Sequence, residues 1–350
     1  MRIGFYGMPT AGKTFILDRI DFLEVVVGSK LLRQYDPEFD KRDEAGRKKV
    51  RRDLANIMLL KEEFIMDGHY AFGNETAFTE EDGNMYDVYL YLYVDPIILE
   101  QRMAASPKNS RYLNFNIAVW QNEEINNLRA YCHKHNKDFY VIDNPPENSF
   151  DDVSDVIEFI RAIKNGYSCI AFAQKCAADI LAQSSDDNVV LLDGDKTLTI
   201  EDSSNQVFSY TTHLYDGNFY TGYQVWKQSK EFRQYIIPQI TEMPVHINEK
   251  VLAQIGSNAC ILTSGHEMIW SYISDYLHIP FFCGVQMSAE TKLFITKFLQ
   301  AAGKTVTAFG DGMNDYYMMK AANKGYLVTK QNGSISKSLE KRDLEGLILV

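Results

Sequence analysis

Apolar strands that run straight into polar, glycine-bearing loops restrict the fold of this chain more than any other feature. Near the start, Arg2-Ile3-Gly4-Phe5-Tyr6 leads into Gly7-Met8-Pro9-Thr10-Ala11-Gly12-Lys13-Thr14. Far downstream, Val189–Leu192 leads into Asp193-Gly194-Asp195-Lys196-Thr197, and Val306–Phe309 leads into Gly310-Asp311-Gly312-Met313-Asn314-Asp315. Strand–loop–helix units of this kind belong to layered α/β architectures.

Residues 1–165 alternate between the two patterns. Strands are expected at Arg2–Tyr6, Glu24–Val27, Glu63–Met66, Asp87–Val94 and Phe139–Ile142. Helices are expected at Lys13–Ile20, Asp43–Leu60, Pro96–Ala104, Phe115–His135 and Asp151–Ile163. The alternation predicts a parallel sheet with crossover helices. A second unit, residues 166–350, opens on an amphipathic helix over Cys169–Gln183. Strands at Val189–Leu192, Ala259–Leu262, Val306–Phe309 and Gly325–Val328 follow. An insert at about 200–250, rich in aromatic and polar residues, reads in part as a cap. The expected fold is two three-layer α/β domains with mainly parallel sheets, the second carrying that small cap between its first and second motifs.

Composition narrows the partners. The chain has 350 residues, 45% hydrophobic and 13% aromatic, which suffices for two ordinary cores. A net charge of -11 opposes tight, non-specific binding to a long polyanion, because such binding runs on Lys and Arg neutralising phosphates. The five cysteines are scattered without a C-x-x-C, which fits a reducing compartment. No apolar run is long enough to cross a bilayer and no leader precedes the first strand, so the expectation is a cytoplasmic protein with no membrane partner.

The loop Gly7–Thr14 fits G-x-x-x-x-G-K-[ST], with a strand before it and a helix after. Gly7 and Gly12 let backbone N–H groups turn toward phosphates, and the helix starting near Lys13 adds its positive end. Lys13 would reach the β- and γ-phosphates of ATP, and the Thr14 hydroxyl would ligate Mg²⁺. The basic run Lys41–Arg52 could line a groove for a phosphorylated substrate or a nucleic-acid end, but reads more simply as a solvated helix face.

On these residues the first unit resembles small P-loop kinases of the nucleoside monophosphate kinase type. The stretch Gly28-Ser29-Lys30-Leu31-Leu32-Arg33 resembles the segment that grips the acceptor's phosphate, with Arg33 in the gripping place. Asp67 ends the third strand, where the family has an acidic residue near Mg²⁺ or the acceptor. Arg102 resembles an arginine on the approach to the lid, and Arg111 is a second lid arginine. Guanidinium forks suit migrating phosphate oxygens. The chain departs from the family in having Asp67-Gly68-His69-Tyr70 after the third strand and a short lid, Ser106–Tyr112. The acceptor therefore need not be a nucleoside monophosphate. His69 reads as a packed histidine ahead of a catalyst.

In the second unit, two carboxylates at the tip of one buried strand can address a single small volume. The sequence Asp193-Gly194-Asp195-Lys196-Thr197 resembles the nucleophile motif of the haloacid dehalogenase superfamily. The resemblance implies that Asp193 attacks phosphorus and becomes an aspartyl-phosphate, while Asp195 protonates the leaving alcohol and then activates water. Mg²⁺ would bridge the attacking carboxylate and a phosphate oxygen. Ile261-Leu262-Thr263-Ser264-Gly265 resembles that superfamily's strand ending in a phosphate-binding hydroxyl. Ser264 fits best, since the phosphoserine phosphatase-like branch has Ser-Gly there, and Thr263 is the alternative. Lys292 resembles the lysine that neutralises the transferring phosphate, with Lys297 second. The resemblance implies Mg²⁺ ligation by Asp193, Asp195, Asp311 and Asp315, the last alternatively holding the lysine. Arg233, the only arginine of the insert, is the candidate for a substrate anion, and the insert's aromatics, Tyr223 and Trp226 among them, read first as the cap's own core.

These sites predict a bifunctional phosphotransferase: an ATP-dependent kinase with a Mg²⁺-dependent phosphomonoesterase for a small phosphorylated metabolite, a nucleotide or sugar phosphate. Two other readings fit the motifs. One is a polynucleotide 5′-hydroxyl kinase/3′-phosphatase, disfavoured by charge and cap. The other is a phosphatase regulated by a nucleotide-sensing P-loop domain.

Overall fold

Strand and helix alternate through both halves of the structure, a computed structural model that describes residues 1–144, 153–183, 186–206, 222–232, 240, 243–256 and 258–350. The chain divides into two units, Met1–Tyr167 and Ser168–Val350.

In the first unit the strands are β1 (Arg2–Tyr6), β2 (Val25–Val26), β3 (Phe64–Asp67), the small hairpin β4 (Ala71–Phe72) and β5 (Glu75–Thr76), β6 (Val88–Val94) and β7 (Asp138–Asn144). The parallel sheet runs β2-β3-β1-β6-β7. Ile3 and Phe5 of β1 and Tyr89 to Leu92 of β6 are buried, as central strands covered on both faces require. The inward tyrosines still find acceptors: the Tyr89 hydroxyl donates to Gly83 O at 2.8 Å and that of Tyr91 to Glu124 at 2.7 Å.

The helices are α1 (Lys13–Leu17), α2 (Gly28–Tyr35), α3 (Glu44–Met58), α4 (Glu80–Met85), α5 (Pro96–Ala104), α6 (Ile117–His135) and α7 (Ser154–Lys164). Asp43 caps α3 by accepting from Gly46 N at 2.8 Å, and Thr79 with Asp82 forms a capping box on α4. The sequence reading misses α2, α4 and the β4–β5 hairpin, and extends α1 too far. These elements are short; α2 opens on Gly-Ser and has only eight residues, too few for its apolar side to repeat over several turns. Because chain order reverses across β1, its C-terminal loop opens at the topological switch point of the sheet.

The second unit has β8 (Asn188–Asp193), β9 (Ala259–Thr263), β10 (Phe281–Cys283), β11 (Thr305–Gly310), β12 (Lys324–Leu327) and β13 (Ile348–Leu349), in the order β10-β9-β8-β11-β12-β13. All the pairs are parallel. Its helices are α8 (Cys169–Gln183), α9 (Gly222–Phe232), α10 (Glu249–Leu252), α11 (Glu267–Leu277), α12 (Ala289–Ala301) and α13 (Met313–Ala321). Successive residues of β8 face opposite ways. Val189 and Leu191 join a core with α8, α12 and α13, whereas Val190 and Leu192 join another with Trp270 and Ile273 of α11. Truncating such a leucine to alanine costs about 2–5 kcal/mol.

Two backbone bonds pin the ends of the insert: Ile200 N donates to His246 O and Asn248 N to Leu198 O, both at 2.9 Å, around a Thr199–Ile247 bridge. Of the insert's aromatics, Tyr223 is buried and stacks on Trp226 at 6.2 Å. Arg233 lies outside the described residues. Among the described residues no helix is long and apolar enough to cross a membrane.

Candidate active sites

The turn from β1 into α1 needs a left-handed residue, and Gly12 supplies it at φ 98°. Here α1 has only five residues, so few peptide dipoles align and the helix-end contribution expected from the sequence is small. Lys13 is buried and folded back: its Nζ donates to Gly7 O at 2.6 Å and Met8 O at 3.3 Å. Burial lowers its pKa to about 8 against the raising effect of Asp67 and Glu124. Thr14 is exposed, and Arg102 Nη1 reaches Ala11 O at 3.5 Å.

Beside this loop lies a cavity of about 730 Å³ whose wall includes Arg33, Asp67, His69 and Arg111. Asp67 is held in place, its Oδ1 accepting from Gly28 N at 2.6 Å. Arg33 pairs with Asp40 at 2.7 Å, and Arg111 Nη2 donates to the Tyr112 hydroxyl at 2.8 Å. His69 hydrogen-bonds to the Gly7 backbone; burial first and then the Lys13 charge push its pKa well below the usual imidazole value. Its Nδ1 is buried with no partner among the described residues.

The same wall holds Arg47 and Arg51, two members of the basic run for which the sequence offers a solvated face first and a groove second. Arg47 grips Glu75 through Nε at 3.1 Å and Nη2 at 2.8 Å. Arg51 Nη1 stands 3.8 Å from Glu75 Oε1 and makes no hydrogen bond among the described residues. A signal for both was present. Arg47 and Arg51 continue the helical stripe of Leu54 and Met58, both buried, so the basic run has an inward edge. Lys48 of the same run pairs with Glu44 one turn away on its own helix.

In the second unit, β8 delivers Asp193 to the tip of the sheet. Its Oδ2 accepts from the Thr197 hydroxyl at 3.1 Å and its Oδ1 from Lys292 Nζ at 2.6 Å. Lys292, in the first turn of α12 and fully buried, also donates to Asp315 Oδ1 at 2.7 Å. Burial alone would lower its pKa, but Asp193 and Asp315 outweigh that and hold it above the ordinary lysine value. Oxygens of Asp193, Asp311 and Asp315 lie within 4.8 Å of one another. Burial first, then the neighbouring carboxylates, raises Asp311 well above the usual range and Asp315 to about 7.

Asp195 is not part of that trio. Its Oδ1 accepts from Ser203 N at 2.7 Å, and burial, followed by Asp202, raises its pKa to about 7. Asp202 also pairs with Lys196 at 2.8 Å, and Lys196 sits in the left-handed region at φ 63° inside the motif's turn. Ser264 faces Asn314, whose Nδ2 is 3.5 Å from the serine Oγ, while the Thr263 hydroxyl turns inward to accept from Gly265 N at 3.0 Å. Lys297 lies over the Phe294 ring, 5.1 Å from its centroid. Trp270 closes the floor. A Cβ on either Gly194 or Gly265 would overlap its indole, so both loops lie flat against one ring.

Residues 289–339 match the family model of haloacid dehalogenase-like hydrolases. Among solved structures, shikimate kinase from Bacteroides thetaiotaomicron is 15% identical with a TM-score of 0.35, covering 47% of this chain and 98% of its own. Shikimate kinase from Acinetobacter baumannii, in complex with shikimate, is 15% identical with a TM-score of 0.35, covering 48% and 95%. The catalytic domain of the CPx-ATPase CopB-B is 16% identical with a TM-score of 0.25, covering 40% and 80%. No curated protein matches the sequence. The second unit thus contains a segment, from the Lys292 helix through the Asp311–Asp315 loop, that is similar to haloacid dehalogenase-like hydrolases.

Proposed function

We propose that this chain is a bifunctional phosphotransferase, an ATP-dependent kinase in its first unit and a Mg²⁺-dependent phosphomonoesterase in its second, acting on small phosphorylated metabolites. The observation that carries the phosphatase reading is the Lys292 ammonium seated between Asp193 and Asp315, with Asp311 alongside. Three carboxylates around one ammonium leave excess negative charge, and an all-oxygen donor set suits Mg²⁺. When bound, the ion neutralises charge between nucleophile and phosphate.

Asp193 attacks phosphorus, with Thr197 orienting its second oxygen. Lys292 turns from the carboxylates to the phosphate oxygens, and Ser264 and Asn314 bind the same group. Asp195, able to hold a proton near neutrality, gives it to the leaving alcohol and recovers one from water in the second half-reaction. In the first unit Lys13 exchanges the Gly7 and Met8 carbonyls for the β- and γ-phosphates, and Arg102 and Arg111 close from the lid side.

The two halves separate by mutation. Asp193→Asn should abolish phosphomonoester hydrolysis and leave ATP-dependent transfer intact, and Lys13→Ala should do the reverse. Normal hydrolysis by the Asp193→Asn protein would refute the second-site assignment.

A further inference from the structure

We infer that the first unit's acceptor is an alcohol that already carries an anionic group, its hydroxyl meeting His69 and its anion meeting Arg51. The inference rests on the kinase reading above and names that kinase's substrate class.

Two buried polar atoms of the cavity wall lack partners among the described residues, and they ask for opposite chemistry. The first is on His69. A carbonyl only accepts, so the ring nitrogen bonded to Gly7 carries the hydrogen. Burial keeps the ring neutral, and Nδ1 is therefore a lone pair needing a donor. An alcohol has that donor, whereas a fully ionised phosphate has none. The bond to Gly7 and the Lys13 charge put this ring beside the phosphate loop. A hydroxyl is thus the nucleophile His69 would orient.

The second is on Arg51, its side chain only 10% exposed. Arg47 already engages both oxygens of Glu75, so Arg51 Nη1 keeps an ion-pair contact with Glu75 at 3.8 Å and no well-formed hydrogen bond among the described residues. A buried guanidinium nitrogen without an acceptor is costly, and a phosphate or carboxylate is the group that fits it. Lys108 on the same wall is a further cation, while Arg33 there is paired with Asp40. A cavity of about 730 Å³ has room for a metabolite carrying both groups.

The step balances. The alcohol oxygen forms a bond to the γ-phosphorus of ATP as the bond from that phosphorus to the bridging oxygen breaks. The electron pair leaves with the nucleoside diphosphate, and the hydroxyl proton, oriented toward His69 Nδ1 before the bond forms, ends on an oxygen of the transferred phosphoryl group.

The experiment uses the full chain with Asp193→Asn, γ-labelled ATP and Mg²⁺. The acceptors are ribose, ribose 5-phosphate, gluconate and adenosine monophosphate, and ATP binding is measured alongside. Label should enter an acid-stable ester of an anionic alcohol, with kcat/KM at least about tenfold above ribose. Arg51→Met should erase that preference with the KM for ATP unchanged, and Arg51→Lys should restore part of it. His69→Gln keeps an N–H for Gly7 but puts no acceptor where Nδ1 stood, so kcat should fall by at least about tenfold with ATP binding intact. Label found only in an acid-labile phosphoanhydride, a preference untouched by Arg51→Met, or ATP binding without transfer to any of the four would overturn the inference. Failure to bind ATP at all would remove the kinase reading with it.

Discussion

Lys292 has no exposed surface and three carboxylates around it, so its charge is a structural necessity as well as a chemical one. Lys292→Met should cost about 3–5 kcal/mol, because it leaves buried charges uncompensated. Added Mg²⁺ should restore more melting temperature to this variant than to the parent, a comparison thermal unfolding makes directly. Asp195→Asn should slow hydrolysis of alkyl phosphates far more than of p-nitrophenyl phosphate, whose leaving group needs no proton. A sequence pattern locates residues on strand tips and in first helical turns: Asp193, Lys292, Asp311 and Asp315 stand there and come together, while Asp195, expected at the same ion, turns to Ser203. Arg47 and Arg51 were not legible in this way, because a dense basic run hides which members turn inward. His69 was weighed as packing, and only its unpartnered nitrogen gives it chemistry.

At the scale of elements, α6 holds the cavity-side hairpin through one carboxylate. Glu124 Oε1 accepts from Ala71 N on β4 and from Trp120 Nε1, both at 3.0 Å, and Oε2 accepts from the Tyr91 hydroxyl. Burial raises its pKa from 4.5 to about 7. The folded chain thus keeps this proton up to about pH 7 while the unfolded chain releases it near 4.5, so its stabilising effect is full below 4.5 and is lost as pH rises through 7. Glu124→Gln removes the titration and keeps the shape. The parent should lose melting temperature relative to this variant between pH 5 and pH 8, and a constant difference would contradict the assignment. Long elements were readable: β1 and α5 have the bounds their patterns predict. The hairpin was not, since two-residue strands show no period and depend on Glu124, about fifty residues away in sequence.

At the scale of the whole molecule, each unit has its own parallel sheet, and unfolding should show two transitions rather than one. ATP with Mg²⁺ at a hundredfold excess over its Kd should stabilise the first unit by about 2.7 kcal/mol and raise only its transition. Lys13→Ala should erase that shift in calorimetry without moving the second transition. The two-unit plan was legible because each half carries its own apolar strand running into a polar, glycine-bearing loop, whereas the insert's pattern predicted a position and little else. Trp270 has one more consequence. The chain holds three tryptophans, and Trp120 and Trp226 lie outside the floor that Trp270 forms under Gly194 and Gly265. With those two changed to phenylalanine, the remaining indole becomes a native fluorophore seated beneath the Gly194 and Gly265 loops, so its emission can follow ligand arrival there in real time without a dye.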